Sequence, residues 1–338
     1  MDTNNTTNSV AVHVNGTASF NGNFHYDTIR FIYTKILFFQ ILFGSGGNIL
    51  NLVVLLSRAM RSRTNLIFAA MAFSDLFFLL LHIPTLLYFL LHNHFYRQHR
   101  QTIAGLCNWT SAVSIWCMMY ATIERVQVFR SPFKTSKRSA SFRFFFILFA
   151  ISIGCLCLTS VHFFTPQFRA KSPITQIVMM ANILLVVVIP LIVSTGLNVL
   201  LIMALRKNTM PLRMLNDSQI HKSLIIQRSK NERKVTLMVA VILTCFIVCN
   251  TPGAVVFVLK EYSTGFDNNM DNILLQSVCN SLTITGKVLN FLLFCLSSGH
   301  FRALLKKRLK YLFRIPQDTR RNTCSTATKT FSVPLNDL

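Results

Sequence analysis

Asp75 and Lys287 stand inside stretches of sequence that are otherwise strongly apolar, and Glu124 and Arg125 follow directly after a third such stretch. A charge at the centre of a lipid bilayer costs about 2.5 to 3.5 kcal/mol on insertion scales, so Asp75 and Lys287 should face the inside of a helix bundle and have a partner there. The chemistry open to them is ion pairing. No nucleophile, base and orienting acid converge in the sequence, so we expect no enzymatic activity.

The composition supports a membrane setting for these groups. Of the 338 residues, 52% are apolar and 13% are charged, against roughly 25% charged residues in a soluble domain. The mean hydropathy is +0.47. A net charge of +23 would indicate a nucleic-acid partner in a soluble protein, so the positions of the basic residues must decide.

Seven stretches are long enough to cross about 30 Å of hydrocarbon as helices, at roughly 20 residues each. They are residues 36–57, 64–91, 103–123, 144–165, 174–205, 235–259 and 273–299. None alternates as the strands of a membrane barrel do, and backbone groups in lipid must be bonded within their own segment. We therefore predict an all-α membrane protein, a bundle of seven transmembrane helices.

The basic residues lie mostly on one side of these stretches. The connections 57–63, 130–143 and 206–234, with the segment 300–314, carry 22 Lys and Arg, whereas the opposite side carries 6. The positive-inside rule then predicts an extracellular amino terminus and a cytoplasmic carboxyl terminus. The charge is chiefly a topological label, so we expect a multi-pass protein of the cell membrane and no nucleic-acid partner.

The chain divides into four regions on this basis. The amino-terminal region is polar and Asn-rich, carries the glycosylation acceptors Asn4, Asn5 and Asn15, and lacks the pattern of a cleavable signal peptide. The segment after the bundle alternates Phe and Leu with Lys and Arg, which is typical of an amphipathic helix on anionic membrane lipids. The predicted regions are a disordered extracellular tail 1–30, the bundle 31–299, the amphipathic helix 300–314 and a disordered cytoplasmic tail 315–338.

Eight of the nine cysteines lie within the apolar stretches. They lack the spacing and the accompanying histidines of a metal site, so we interpret them as small packing residues. We expect neither a metal ion nor a cofactor.

An ordered set of motifs runs through the seven stretches. It comprises Gly47-Asn48, Ala72-Phe73-Ser74-Asp75, Glu124-Arg125-Val126 with Pro132, Pro190, Phe246-x-x-x-Asn250-x-Pro252, Asn290-Phe291-Leu292-Leu293-Phe294 and Phe301-Arg302. Over residues 31–314 this set resembles the rhodopsin-like (class A) G-protein-coupled receptors. The long Phe-rich stretches are most similar to invertebrate neuropeptide receptors of the FMRFamide-receptor type.

The resemblance implies a switch that activates a G protein at the cytoplasmic end. Arg125 matches the family arginine that meets the G protein in the active state, and Glu124 matches the acid that holds it at rest. Pro252 matches the kink about which the sixth helix swings. Asn290 and Phe294 lie in the motif of the seventh helix.

The sequence departs from the family pattern at several of its motifs. Asn250 replaces the usual Trp of the sixth helix, and Phe294 and Asn198 replace a pair of Tyr residues. Arg100 occupies the place of a disulfide cysteine, and the connection 166–173 has no cysteine. The extracellular disulfide of relatives is therefore expected to be absent.

The resemblance also implies a small polar cavity inside the bundle, which normally holds a sodium ion. Its expected lining here is Asn48, Asp75, Ser114, Asn250 and Lys287. We hypothesise that the Lys287 ammonium replaces the ion and pairs with Asp75. The alternative is a lysine that extends to the inner membrane surface.

The expected ligand pocket lies nearer the extracellular side. Cys107 stands where amine receptors carry an Asp, which disfavours small cationic amines. The candidate lining residues are His82, Cys107, Asn108, Ser111, Asn182, Phe257, Gln276 and Asn280. Glu261, Asp267 and Asp271 at the rim would attract a basic peptide.

The predicted function is therefore a receptor that binds an extracellular peptide ligand and activates a heterotrimeric G protein. The alternative is a chemosensory receptor for a small molecule on the same fold. A retinal pigment is disfavoured, because Ile284 stands at the position of the retinal lysine. A transporter is disfavoured because no paired repeats are visible.

Overall fold

The structure is a computed structural model that describes residues 24–60, 62–92, 94–130, 142–164, 173–207, 219–262, 266 and 269–312. These residues form helices joined by short connections, with no strand among them. In chain order the helices are α1 (Phe24–Leu55), α2 (Arg63–Leu91), α3 (Phe95–Arg130), α4 (Phe142–Phe163), α5 (173–207), α6 (Gln219–Tyr262), α7 (Met270–Ser297) and α8 (Gly299–Leu312).

Seven of these helices correspond to the seven predicted membrane stretches, three of which (36–57, 144–165 and 273–299) end two residues beyond their helix. Six of them in the described part of the chain are long and apolar enough to cross a membrane. The other, α3, carries more polar residues along its 36-residue length. At 1.5 Å per residue α3 is about 54 Å long, which exceeds the hydrocarbon thickness. The prediction of an all-α membrane bundle is confirmed.

Side-chain caps and a left-handed residue fix several helix ends. The Ser62 hydroxyl accepts a hydrogen bond from the Asn65 backbone amide at the start of α2, and the Asn269 side chain accepts one from the Asp271 amide at the start of α7. Both satisfy amides that have no partner within the helix. After α2, His92 takes a φ of 52°, which turns the chain towards α3.

Three helices are irregular within the membrane stretches. The α2 helix is interrupted at Leu81 and His82, because Pro84 in the next turn offers no amide to the preceding carbonyls. Turns of π-helix occur in α1 at Ile32–Ile36 and in α5 at Ile183–Val188. Such turns place one extra residue in the helix and rotate the side chains that follow.

The helices extend beyond several of the predicted boundaries. The first helix begins at Phe24, so residues 24–30 belong to it and not to a disordered tail. The α6 helix begins at Gln219, 16 residues before the predicted stretch, and is about 66 Å long. The amphipathic helix predicted at 300–314 is observed as Gly299–Leu312. The acceptors Asn4, Asn5 and Asn15 and the tail 315–338 lie outside the described residues.

The bundle closes because α1 packs against both α2 and α7, while α3 contacts α2, α4 and α5. Glycines allow the closest contacts between helices. A Cβ atom at Gly47 would lie 2.8 Å from the Cβ of Phe291, and one at Gly286 would lie 2.8 Å from the Cβ of Cys249. Small residues at helix contacts are the usual means of close packing in lipid.

The buried apolar core lies at the end of the bundle next to α8, whose Phe301 belongs to it. Its fully buried members include Leu55, Ile67, Phe68, Met71, Met118, Ile242, Leu243, Phe294 and Phe301. Large apolar residues also cover the outside, such as Phe142 at 86% and Leu296 at 74% exposure. In water such a surface would drive aggregation, whereas in lipid it is the expected outer face.

Candidate functional site

Asp75 of α2 and Lys287 of α7 form an ion pair in the middle of the bundle. Lys287 Nζ lies 2.7 Å from Asp75 Oδ1, and the two residues are 0% and 4% exposed. The Ser114 hydroxyl of α3 donates to the same carboxylate oxygen at 2.7 Å. The Asn290 side chain donates to Asp75 Oδ2 at 2.9 Å. The carboxylate therefore joins three helices through three donors.

Helical spacing places these groups on facing surfaces. Lys287 and Asn290 are three residues apart on α7, so they lie on one face. Phe78 lies three residues after Asp75 on α2, and the Lys287 ammonium stands 4.6 Å from the centre of its ring. A cation over an aromatic face is attracted by the ring quadrupole. Lys287 thus points into the bundle and does not extend to the inner membrane surface.

The asparagines expected in this polar cavity differ in what they contact. The Asn48 side chain donates to Gly44 O at 3.0 Å and to Lys287 O at 3.5 Å, so Asn48 borders the pair. Asn250 instead donates to Phe246 O of its own helix at 2.8 Å. It approaches Gly286, and none of its described hydrogen bonds reaches the ion pair.

Two predicted pocket residues, His82 and Cys107, are connected to the ion pair through Phe78. His82 Nδ1 donates a hydrogen bond of 2.9 Å to the Phe78 carbonyl. This carbonyl is available because α2 is interrupted at the next turn. The Cys107 Sγ of α3 lies 3.9 Å from the same nitrogen. The rings of Phe78 and His82 are 4.5 Å apart. A continuous set of contacts therefore runs from Cys107 to the Lys287 ammonium.

Four more of the predicted pocket residues are partly accessible. Asn108 and Ser111 are half-buried on α3, Gln276 is half-buried on α7, and Asn280 is exposed. The Lys260 ammonium donates to Gln276 Oε1 at 3.3 Å, which joins α6 to α7. Asn280 precedes Lys287 by seven residues, about two helical turns, so it lies on the same face.

Asn182 and Phe257 take part in contacts between helices. Asn182 is 2% exposed, donates to Leu158 O of α4 at 2.9 Å and lies 3.3 Å from His162 Nε2 through its Oδ1. The rings of His162 and Phe257 have centres 5.8 Å apart. The Asn182 amide therefore joins α4 to α5, and its place in the ligand pocket stays a prediction.

A polar contact fixes the carboxyl-terminal end of α4 against α3. The Gln101 side-chain amide donates to His162 O at 3.0 Å and also to Phe164 O. One turn further along α3, a Cβ atom at Gly105 would lie 2.8 Å from the Phe163 ring, so the bare glycine allows the ring to pack directly on the helix. These contacts join the region where an extracellular disulfide was expected to be absent.

We expect Gln101→Glu to loosen this end of α4. The carboxylate keeps the shape of the side chain but cannot donate to the two carbonyls, and hydrogen bonds of this kind contribute about 1 kcal/mol each. Hydrogen–deuterium exchange in nanodiscs should be about thirtyfold faster at residues 160–164, because two hydrogen bonds are lost, about 2 kcal/mol together. Gln98→Glu, at an exposed position one turn earlier, should leave that rate unchanged. Equal rates in the two variants would contradict the role of Gln101.

The predicted switch residues lie on α3, α6 and α7. Glu124 and Arg125 are each 7% exposed, and the Tyr120 hydroxyl donates to Glu124 Oε1 at 3.5 Å. Pro252 lies within α6. The Phe294 ring packs edge-on against Phe68 at 5.1 Å.

Asn198 and Thr244 provide a hydrogen bond between α5 and α6. The Asn198 amide donates to the Thr244 hydroxyl at 2.9 Å. From the sequence, Asn198 is only the replacement of a tyrosine that is usual in the family. The hydrogen bond shows that this position joins α5 to α6 through an amide.

The amphipathic helix α8 is attached to α7 by stacking and by capping. The Phe301 ring is 0% exposed and stacks on Phe294 with the ring centres 5.6 Å apart. Arg302 donates to the carbonyls of Cys295 and Leu296, both at 3.1 Å. These carbonyls end α7 without helical partners, so the cation satisfies them and the negative end of the helix dipole.

The three acidic residues of the predicted rim, at 261, 267 and 271, are described only in part. Asp271 is exposed at the start of α7, with its carboxylate 3.3 Å from His25 of α1. Asp267 and the side chain of Glu261 lie outside the described residues. The contacts of Phe78 and Gln101 were not predicted from the sequence, because Phe78 is one of several Phe residues in its stretch and the partners of Gln101 are backbone carbonyls.

Comparison with known proteins agrees with this architecture. The family model of the seven-transmembrane receptors of the rhodopsin family matches residues 47–295. A candidate G-protein coupled receptor of Caenorhabditis elegans is 30% identical over 319 residues, covering 80% of this chain and 71% of the relative. The match spans most of the bundle, including the ion pair and the switch residues. The chain belongs to the rhodopsin family of seven-transmembrane receptors.

Proposed function

We propose that this receptor binds an extracellular neuropeptide and activates a heterotrimeric G protein. Membership of the family makes the chain a multi-pass membrane receptor with a ligand and a G-protein partner. Beyond this, we propose that the ligand is a peptide and that individual residues have the roles given below. We also propose that the amino terminus is extracellular, from the distribution of basic residues.

The observation that carries the proposal is the set of contacts that links the two halves of the bundle. Cys107 approaches His82, whose ring packs on Phe78, and the Phe78 ring contacts the Lys287 ammonium. The ammonium binds Asp75, which also binds Asn290 of the α7 motif. A ligand that moves the outer groups would therefore change the packing of α7 near the cytoplasmic half.

In the proposed mechanism the ligand is seated between α3, α6 and α7. The half-buried Cys107, Asn108, Ser111 and Gln276 with the exposed Asn280 offer mixed polar and apolar contacts. The inner part of α6 then moves outward about Pro252, and the Asn198–Thr244 hydrogen bond must break for α6 to leave α5. Arg125 is released from Glu124 and contacts the G protein.

The chemistry of the pocket favours a peptide over a small amine. Cys107 cannot supply the carboxylate that would bind a protonated amine deep in the pocket, and the outer rim bears the exposed Asp271. A basic peptide with an amidated aromatic end would place its cationic part at the rim and its apolar end inside.

A screen in cultured cells tests the proposal. Cells that express the receptor with a panel of chimeric Gα reporters are treated with a library of amidated neuropeptides. We expect a saturable response to a basic peptide, absent from untransfected cells. A receptor that reaches the cell surface and responds only to small odorants or metabolites would replace the peptide proposal with the chemosensory alternative.

A further inference from the structure

The negative charge of the Asp75 carboxylate is compensated by side chains of the protein itself. Its oxygen Oδ1 accepts from Lys287 and Ser114, and Oδ2 accepts from Asn290, at 2.7 to 2.9 Å. The carboxylate is 0% exposed. A buried charge of this kind requires a partner of opposite sign and hydrogen bonds to its remaining lone pairs. Both requirements are met by groups attached to α3 and α7.

The resemblance to class A receptors implies a sodium ion at this carboxylate, and the residues present do not fit one. Lys287 Nζ stands at 2.7 Å from Asp75 Oδ1, where a cation bound by this oxygen would have to be. The Phe78 ring lies 4.6 Å from the same nitrogen. A hard metal ion prefers a shell of oxygen ligands, whereas an aromatic face beside a carboxylate suits an ammonium group.

We propose that Lys287 is a built-in counter-ion and that the space filled by its ammonium is an ammonium-binding site. In the intact protein this site is closed to mobile cations. When the lysine side chain is shortened, the site takes a small primary ammonium ion in preference to sodium. The inference goes beyond the proposed function and does not depend on the identity of the ligand or on G-protein activation.

The surroundings of the pair support such a site. The Asn48 side chain is 1% exposed, and its amide nitrogen approaches Lys287 O. Its oxygen Oδ1 is buried without a hydrogen-bond partner in the described part of the chain. An N–H group of an ammonium ion needs an acceptor, and Asp75 Oδ1 supplies one at 2.7 Å from the position of the lysine nitrogen. The site therefore combines a carboxylate and an aromatic face, with the Asn48 side chain beside the Lys287 backbone.

The experiment compares thermal unfolding of the purified receptor in different monovalent cations. Wild type and Lys287→Ala are heated at equal ionic strength in the chlorides of sodium, ethylammonium and N-methylglucamine. Unfolding is followed with a thiol-reactive dye, because Cys117, Cys155, Cys249 and Cys279 are buried and free in the folded protein. N-methylglucamine serves as a cation too large for the site.

We expect the wild-type midpoint to be the same in the three salts within about 1 °C. Lys287→Ala should unfold at a lower temperature and be stabilised saturably by ethylammonium, more than by sodium. At ten times the dissociation constant, a bound cation raises the folded-to-unfolded ratio about tenfold. N-methylglucamine should give no such stabilisation.

Two control variants separate the site from general salt effects. Lys287→Ala combined with Asp75→Asn removes the carboxylate and should lose the ethylammonium response. Lys260→Ala removes a lysine that binds the uncharged Gln276 and should remain as indifferent to the cation as wild type.

Three results would overturn the proposal. They are a wild-type midpoint that rises with sodium, a Lys287→Ala midpoint indifferent to all three cations, and an ethylammonium response that survives Asp75→Asn. If Lys287→Ala does not survive purification, the wild-type midpoints still test whether the intact site is closed to sodium. Binding of ammonium is then tested with Lys287→Ser, expressed and extracted with ethylammonium or with N-methylglucamine. We expect this variant to be recovered only in ethylammonium.

Discussion

Asp75→Asn should lower the thermal midpoint of the receptor by roughly 10 °C. The substitution keeps the size of the side chain but leaves the Lys287 ammonium, 4% exposed, without its negative partner. Removing one member of a buried ion pair costs about 3–5 kcal/mol, because the other charge stays buried and uncompensated. Thermal unfolding of the purified protein, with surface expression as a second measure, checks the expectation.

A double-mutant cycle distinguishes the pair from its parts. Asp75→Asn combined with Lys287→Met removes both charges and keeps most of the volume, so the double variant should be more stable than either single variant. Asp271→Asn is a matched control, because that carboxylate is exposed and contacts only His25 among its described ion pairs. It should shift the midpoint by no more than about 1 °C. Additive effects of Asp75→Asn and Lys287→Met would show that the two charges do not stabilise each other.

The ion pair illustrates what the sequence could predict about the site. A lysine in an apolar stretch must face the bundle, and a carboxylate in another stretch is the natural partner. The family resemblance supplied the register between the helices that contain Asp75 and Lys287. The role of Phe78 was not anticipated, because in a Phe-rich stretch no single ring stands out as a contact for a cation.

The contacts of Gln101 and Asn182 show why other parts of the site could not be predicted. Both side chains donate to backbone carbonyls of α4, the first to His162 and Phe164 and the second to Leu158. A carbonyl is present at every residue, so its position carries no sequence signal. Only the relative position of α3, α4 and α5 shows which polar side chains satisfy helix ends and which stay available to a ligand.

The ends of the helices do not coincide with the ends of the apolar stretches, because different physical properties determine the two. Hydropathy indicates where lipid surrounds the chain, but a helix can continue into water when its residues tolerate helical geometry. Several of residues 24–30 are polar, yet all of them belong to α1. Ile29 among them is buried, at 7% exposure. The α6 helix likewise continues to Gln219, beyond the apolar stretch. Pro84 is a sequence signal for the interruption of α2 at His82. The prediction did not use it, because the apolar stretch 64–91 is long enough for one continuous membrane helix.

Arg125→Ala should abolish most G-protein activation while leaving the receptor at the cell surface. Arg125 lies in the carboxyl-terminal half of α3 and is 7% exposed, and in the proposed mechanism it leaves the carboxylate of Glu124, the preceding residue. Loss of a charge-assisted contact made with the G protein should reduce nucleotide exchange on Gα at least about tenfold. The measurement is guanine-nucleotide exchange in membranes, both basal and evoked by the peptide found in the screen.

The matched control is Arg143→Ala, an exposed arginine near the start of α4 on the same side of the bundle. It should retain exchange close to wild type, because a single exposed charge contributes little to a contact that several basic residues share. Binding of the peptide to Arg125→Ala should be preserved within about threefold, since the residue lies some three helical turns inside Ser114. If Arg125→Ala activates Gα as wild type does at equal surface expression, Arg125 does not transmit the signal and the proposed switch is wrong. If it also fails to bind peptide, its effect is on the fold of α3, and the unfolding midpoint should fall with it.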